Sequence, residues 1–171
     1  MYHLAAQVEV GVGMQNPFLT FETNIRGTYT LLEAIRLNSN SIEAAIFAST
    51  DKAYGSYGRD MMPYKEDYSL HPRFPYDTSK ACAEFVTSCY QKSFLDSDSD
   101  RTNKNMLLCT ARGGNVIGGG DWTKDRLIPD IMRETSQNKT VSIRNPTHIR
   151  PWQHVLDLLS GYILLGQTLL E

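Results

Sequence analysis

The stretch Ala44-Ala45-Ile46-Phe47-Ala48-Ser49-Thr50-Asp51-Lys52 decides the fold. Five apolar residues without alternation give way at once to hydroxyl and charged side chains. A run this short, apolar on both faces, is the pattern of a strand inside a parallel sheet covered by layers on both sides. Ligands of such sheets bind outside the carboxyl ends of the strands, so Ser49-Thr50-Asp51-Lys52 falls at the rim where chemistry is done. Met106 to Thr110 is a second buried strand of the same kind, followed by Arg112-Gly113-Gly114-Asn115-Val116-Ile117-Gly118-Gly119-Gly120-Asp121-Trp122. His3-Leu4-Ala5-Ala6-Gln7 reads as the end of a third strand running into a loop.

Between these strands lies Tyr76-Asp77-Thr78-Ser79-Lys80, just after Pro75 opens a helix expected over 75–93. Residues four apart share a helix face, so the Tyr76 phenol and the Lys80 ammonium point into one site. A neighbouring ammonium favours the phenolate and so draws a tyrosine toward use as a base for a hydroxyl proton. The same spacing also fits a half-buried ring beside a solvated ammonium. Cys82, Phe85, Val86 and Cys89 form the apolar stripe expected to pack on the core, well round from Tyr76 and Lys80.

The remaining elements follow in order. Asn16-Pro17 is an N-cap followed by proline at the first helical position, and Phe21, Ile25, Thr28, Leu32 and Ile35 recur at helical spacing over 17–37. Residues 52–75 hold three prolines and two glycines among Tyr54, Tyr57, Tyr64, Tyr68 and Phe74. They read as an ordered loop over the site, since loops of that length in a compact domain are usually functional. Residues 96–105 form a polar connector. Beyond the glycines, a helix is expected from Arg126-Leu127-Ile128-Pro129 to about Glu134, a short strand at Val141-Ser142-Ile143, and a last helix opened by Pro151 within Arg150-Pro151-Trp152-Gln153-His154-Val155. The apolar run Val155 to Leu170 is interrupted by Asp157, Ser160, Gly161 and Gln167, and reads as a buried helix rather than a membrane span. Alternation of helix and strand gives an α/β fold. Two parts are expected, 1–112 with the parallel sheet and the Tyr76 helix, and 113–171, whose last helix packs back on the core. The sheet begins on a strand that belongs in its middle, so the chain is expected to be a piece of a longer protein, with an edge left bare.

The 171 residues are 41% hydrophobic with a net charge of −2. That suffices for a real core and gives no electrostatic case for nucleic acid or an acidic membrane surface. Three cysteines, Cys82, Cys89 and Cys109, suit reduced core thiols in a cytoplasmic setting. Met1-Tyr2-His3-Leu4-Ala5-Ala6 lacks the basic-then-apolar pattern of a signal peptide. His3, His71, His148 and His154 have no metal-ligand spacing, and no metal is assigned.

If a sugar hydroxyl is oxidised at Tyr76, Tyr76 serves as its base, Lys80 lowers the phenol pKa and holds the cofactor ribose, and Thr50 bonds the same oxygen. Asp51 and Lys52 then add an acid and a base beside the redox centre. A dehydratase needs that pair to remove a proton next to the new ketone and protonate a departing hydroxyl; an epimerase does not. A solvated turn with a local ion pair is the alternative for Asp51 and Lys52. Asn115 and the following glycines permit close approach of a phosphate, or form a plain turn. Arg126 and Arg150 could clamp a diphosphate, or be surface residues. Neither glycine group, nor Gly11 with Gly13, forms Gly-x-Gly-x-x-Gly.

With His3-Leu4-Ala5-Ala6-Gln7, Asn24-Ile25-Arg26-Gly27-Thr28 and the Tyr76/Lys80 step, the chain resembles the extended short-chain dehydrogenase/reductases (the NAD-dependent epimerase/dehydratase family). Gly114 through Trp122, Lys124-Asp125-Arg126-Leu127-Ile128-Pro129-Asp130-Ile131, Arg144-Asn145-Pro146 and Ile149 through Val155 resemble its CDP-sugar 4,6-dehydratase branch. The resemblance runs over essentially the whole chain. It implies a partial Rossmann-like parallel sheet with flanking helices plus part of a small C-terminal substrate domain, 1–112 being an incomplete NAD-binding domain with its catalytic helix and 113–171 the start of the nucleotide-sugar-binding region. It implies conversion of CDP-glucose to CDP-4-keto-6-deoxyglucose with tightly held NAD, in deoxysugar and O-antigen biosynthesis. By it, Tyr76 takes the C4 hydroxyl proton, tuned by Lys80 and assisted by Thr50, while Asp51 protonates the leaving C6 hydroxyl and Lys52 takes part in removing the C5 proton. Ala5 and Ala6 match the wall beside the cofactor, and Asn115, Arg126, Leu127 and Arg150 match positions around the sugar-nucleotide diphosphate. A homodimer through helices 17–37 and 75–93 is implied too. The family's glycine-rich strand-turn-helix is not in this sequence, so the chain alone is expected to be impaired or inactive. Two alternatives stand beside this reading. One is a non-catalytic remnant or assembly partner needing a separate N-terminal piece. The other is a related UDP-sugar dehydratase or epimerase, disfavoured by Asp121-Trp122 and Pro151-Trp152-Gln153-His154.

Overall fold

A computed structural model describes residues 1–38, 41–58, 61–95 and 106–171; the polar connector expected at 96–105 lies outside the described residues. Strands β1 (Tyr2–His3), β2 (Ala44–Thr50) and β3 (Leu107–Gly113) form a parallel sheet in the order β1-β2-β3. Ile46 stands opposite Cys109 and Ser49 opposite Arg112. β2 is central, and Ala44, Ala45, Ile46 and Phe47 are all buried, as its unbroken apolar run requires. It continues past Ala48 to Thr50, so the polar rim residues are part of the strand. β3, expected to be buried, is half-buried along its length because it is an edge of this sheet.

The helix read at 17–37 is three consecutive pieces: α2 (Pro17–Phe21), a π-helical turn (Glu22–Arg26) and α3 (Gly27–Leu37). Asn16 caps it, its side chain accepting from the Leu19 N–H at 3.1 Å. α1 (Val10–Gln15) precedes it, unforeseen because its Gly11 and Gly13 weaken any helical signal. α4 (Pro75–Tyr90) continues as a π turn to Leu95. Leu32 and Ile35 of α3, Ala45 and Phe47 of β2, Leu95 and Met106 make the core.

The apolar stripe expected to bury α4 does not do so. Phe85 is 61% exposed and Cys89 is exposed, while Tyr76, Asp77, Ser79, Lys80, Ala81, Glu84 and Thr87 form the buried face. Only Val86 of the stripe packs against the core. The strand ends supply polar partners for this face, which an apolar pattern cannot anticipate.

The described residues divide into two compact units, Met1–Gly113 with Tyr162–Glu171, and Gly114–Gly161. Within the second, β4 (Asn115–Ile117) pairs in parallel with β5 (Trp152–His154), and α5 spans Leu127–Ser136. Trp152–His154 was expected to open the last helix and is instead a strand; α6 (Val155–Leu170) begins one residue later. Pro151 contributes no N–H but its carbonyl accepts from Asn115 N at 2.9 Å, which starts the β4–β5 pair. A Cβ at Gly114 would lie 2.6 Å from that carbonyl, so the approach depends on glycine. Val141–Ile143 forms no strand, since nothing pairs with it among the described residues. α6 is a helix as expected but not a buried one: Tyr162 is its buried residue, and Leu156, Ile163 and Leu164 are more than half exposed. No helix among the described residues is long and apolar enough to cross a membrane.

Gly55 lies against the His71 backbone, where its φ of +75° and the 1.9 Å from an added Cβ to the His71 carbonyl admit no side chain. Gly55→Ala is therefore expected to destabilise by at least ~1–3 kcal/mol in denaturant unfolding. Gly11→Ala, in open space inside α1, is expected to be neutral or stabilising by up to ~1 kcal/mol. Equal effects of the two would contradict this account of Gly55.

Candidate active site

β2 ends by converting into a single 3-10 turn, Asp51–Tyr54. Thr50 is its N-cap: the Thr50 Oγ1 accepts from Lys52 N at 3.3 Å and donates to Asp51 Oδ1 at 3.2 Å. The hydroxyl is thus 7% exposed yet fixed, and Asp51 and Lys52 stand side by side, both half-buried. Neither makes an ion pair among the described residues, against the alternative of a local pair in a solvated turn.

α4 brings its first turns to the same rim. Tyr76 and Lys80 are each 8% exposed and one turn apart. Lys80 Nζ donates to the Ala48 carbonyl of β2 at 2.8 Å, which ties the helix to the strand two residues before Thr50. Burial pushes the Lys80 ammonium below its ordinary value of 10.5, and the Glu84 carboxylate one turn further on opposes that shift. Asp77 is bonded back to the backbone of Phe74 and Arg73 at the helix start. Burial raises its carboxyl, while the charge of Lys52 lowers it, so the turn and the helix start share one field. Ser79 donates to the Tyr76 carbonyl at 2.7 Å and accepts from Asn24 Nδ2 at 2.9 Å. Asn24, in the π turn, also exchanges two bonds with the Gln7 backbone. That holds the segment carrying Ala5 and Ala6 to α4. Ala5, Asn24, Ser49, Lys80 and Glu84 line one small cavity.

Glu84 and Arg112 stand out only in the structure. Glu84, 6% exposed, accepts from Ser49 Oγ and from Arg112 through Nε at 3.0 Å and Nη2 at 2.6 Å. The one available signal was the spacing Tyr76–Lys80–Glu84, which extends the same face by a further turn.

The residues expected at the diphosphate lie in the second unit. Asn115 starts β4, Arg126 precedes α5 and is half-buried, and Leu127 is 39% exposed at the first helical position. Arg150 is exposed, its guanidinium donating to the Ile149 carbonyl at 2.9 Å and meeting His148 Nδ1 at 3.1 Å. Arg126 adds positive charge that lowers the Asp121 carboxyl, whose principal stabilisation is hydrogen bonding from Thr123.

The pattern of the family described as GDP-mannose 4,6-dehydratase matches residues 1–169. The chain belongs to that family. It is 44% identical over 170 residues to a CDP-glucose 4,6-dehydratase of Salmonella typhimurium, covering 99% of this chain and 46% of that protein. A dTDP-glucose 4,6-dehydratase from Streptomyces venezuelae, solved with NAD bound, superposes with a TM-score of 0.80 at 25% identity, over 96% of this chain and 47% of that one. The UDP-glucose 4-epimerase of Thermotoga maritima shares the fold, with a TM-score of 0.81 at 23% identity over 96% of this chain and 50% of that one. The chain thus spans about half the length of these relatives.

Burial of Lys80 has a pH signature. Below its lowered pKa the ammonium is charged in both folded and unfolded chains, and the cost of burying it is fully present. Between that pKa and 10.5 the unfolded chain binds more protons, so stability rises with pH; above 10.5 the cost is gone. The unfolding free energy of the wild type relative to Lys80→Met is therefore expected to climb across this window. A difference independent of pH would contradict the burial described here.

Proposed function

We propose that the chain carries the reaction centre of a nucleotide-sugar 4,6-dehydratase acting on CDP-glucose, giving CDP-4-keto-6-deoxyglucose. The observation that carries the reading is the meeting of two pairs at one rim. Tyr76 and Lys80 lie on the buried face of α4, and Asp51 and Lys52 lie on the turn capped by Thr50. Relatives that only oxidise or epimerise a sugar have no use for the second pair. The 44% identity to a CDP-glucose 4,6-dehydratase supports CDP-glucose over the UDP- and dTDP-sugars of other relatives.

NAD fits the donors present. Lys80 has three N–H groups and spends one on Ala48, leaving donors for a ribose diol. Ala5, beside the same cavity, and Ala6 are small enough to wall a flat ring. Bound NAD supplies a two-electron acceptor that takes electrons from C4 and returns them within the turnover. Tyr76 removes the C4 hydroxyl proton while Thr50 holds that oxygen, and the resulting ketone acidifies the C5 proton. Lys52 takes part in removing it, and Asp51 delivers a proton to the C6 hydroxyl, which leaves as water; the C5=C6 double bond so formed would then take the returned electron pair as hydride at C6 and regain a proton at C5. Asn115, Arg126, Leu127 and Arg150 hold the diphosphate end, Arg150 exchanging its local contacts for the ligand. A domain division near residue 112 separates these two tasks. The protein works in a reducing cytoplasm as a homodimer, with a second copy covering the exposed apolar residues of α3 and α4, Tyr29 and Phe85 among them.

The chain alone is expected to be impaired or inactive, so the test is product formation from CDP-glucose with added NAD by this chain within a protein of its relatives' full length. Tyr76→Phe is expected to lower the rate by roughly 10²–10⁴-fold with the fold and NAD affinity retained. Undiminished turnover in Tyr76→Phe, or product from UDP-glucose in preference to CDP-glucose, would overturn the reading.

A further inference from the structure

We propose that Arg112 is a positioning residue that holds the Asp51–Lys52 turn in register with the Tyr76–Lys80 helix, acting through Glu84 on one side and Tyr54 on the other. The catalytic assignment of those four residues rests on the function proposed above; the brace itself rests on geometry alone.

Parallel pairing puts Arg112 directly opposite Ser49. Paired residues on neighbouring strands face the same side of a sheet, and both side chains meet Glu84 of α4. Ser49 Oγ donates to Glu84 Oε1, and Arg112 donates to both carboxylate oxygens. Glu84 is one turn beyond Lys80 and two beyond Tyr76 on the same buried face, so its position sets theirs along the strand ends.

The other arm of the guanidinium reaches the turn. Arg112 Nη1 donates to the Tyr54 hydroxyl at 2.8 Å and to the Glu66 carbonyl at 3.1 Å, and the guanidinium carbon lies 4.6 Å from the Tyr54 ring centroid. Tyr54 closes the 3-10 turn two residues after Lys52, is 6% exposed, and packs against the Tyr64 ring at a tilt of 49°. Four of five guanidinium N–H donors are thereby directed at three separate segments. An ion pair needed only for stability requires Glu84 alone. A fork that also grips the last residue of the acid–base turn fixes the distance between two groups that act on adjacent sugar carbons, where misplacement by an ångström is costly.

Arg112→Lys keeps the charge and removes the fork, and Tyr54→Phe removes a single hydroxyl acceptor while preserving the ring. Amide deuterium exchange of the 171-residue chain reads the consequence without requiring turnover. In both variants, exchange at 51–54 is expected to rise about tenfold, the loss of one charge-assisted hydrogen bond, while amides of 44–47 and 107–109 keep their protection. Where the wild type turns over CDP-glucose, kcat is expected to fall with KM nearly unchanged. Exchange that rises uniformly across sheet and turn would make Arg112 a merely structural residue, and unchanged exchange at 51–54 would remove the brace; either result overturns the inference. Absence of turnover in a wild-type protein of the relatives' full length counts against the proposed function and leaves the exchange result to decide the brace.

Discussion

A helix that turns lysine and glutamate toward a parallel sheet must find a partner for each, and this constraint organises the first unit. An unpaired buried charge costs several kcal/mol. The partners come from the carboxyl ends of two strands: the Ala48 carbonyl for Lys80, and Ser49 with Arg112 for Glu84. α4 cannot slide along β2 and β3 without breaking all of them. Because Tyr76 and Lys80 share the face so fixed, the contacts that solve the burial problem also place the groups proposed to react. The guanidinium of Arg112 is pushed up by Glu84, so this partner stays charged.

Elements governed by local chemistry were legible in the sequence. Asn16-Pro17 caps a helix and Pro75 starts another, while the bare apolar run at 44–48 gives a central strand. The candidate pair at Tyr76 and Lys80 was legible for the same reason, since helical spacing is local. What escaped depends on partners distant in sequence. Nothing around Glu84 announces a guanidinium 28 positions away, so Phe85 and Cys89, which are exposed, read from the sequence as the buried stripe. β4 and β5 are three residues each and exist only through one another, and Pro151, which usually marks a helix start, here lends its carbonyl to a strand pair. Val141-Ser142-Ile143 alternates like a strand but meets no partner. In α6 the near-continuous apolarity concealed that one residue, Tyr162, is buried.

The second unit is organised by arginine–carboxylate contacts of a different kind. Arg144 bridges Asp125 and Asp130, and Arg133 joins Asp130 to the Trp122 carbonyl. These are exposed or half-exposed pairs, each worth ~1 kcal/mol or less. They knit the 121–126 segment to α5 and so shape the approach to Arg126. The contrast is chemical. The buried pair holds the groups proposed to react, and the exposed pairs border the residues proposed to exchange local contacts for a ligand.

In the proposed reaction Asp51 and Lys52 distinguish a dehydratase centre from a plain oxidising or epimerising one. The measurement that decides it is NMR of CDP-glucose deuterated at C4, incubated with NAD and with this chain as part of a protein of its relatives' full length, since the chain alone is expected to be impaired. The account predicts that the label leaves C4 and reappears at C6 of the 4-keto-6-deoxy product, with no net accumulation of reduced cofactor. Reduced cofactor accumulating with a 4-keto product that keeps its C6 hydroxyl, or an epimer labelled at C4, would contradict it.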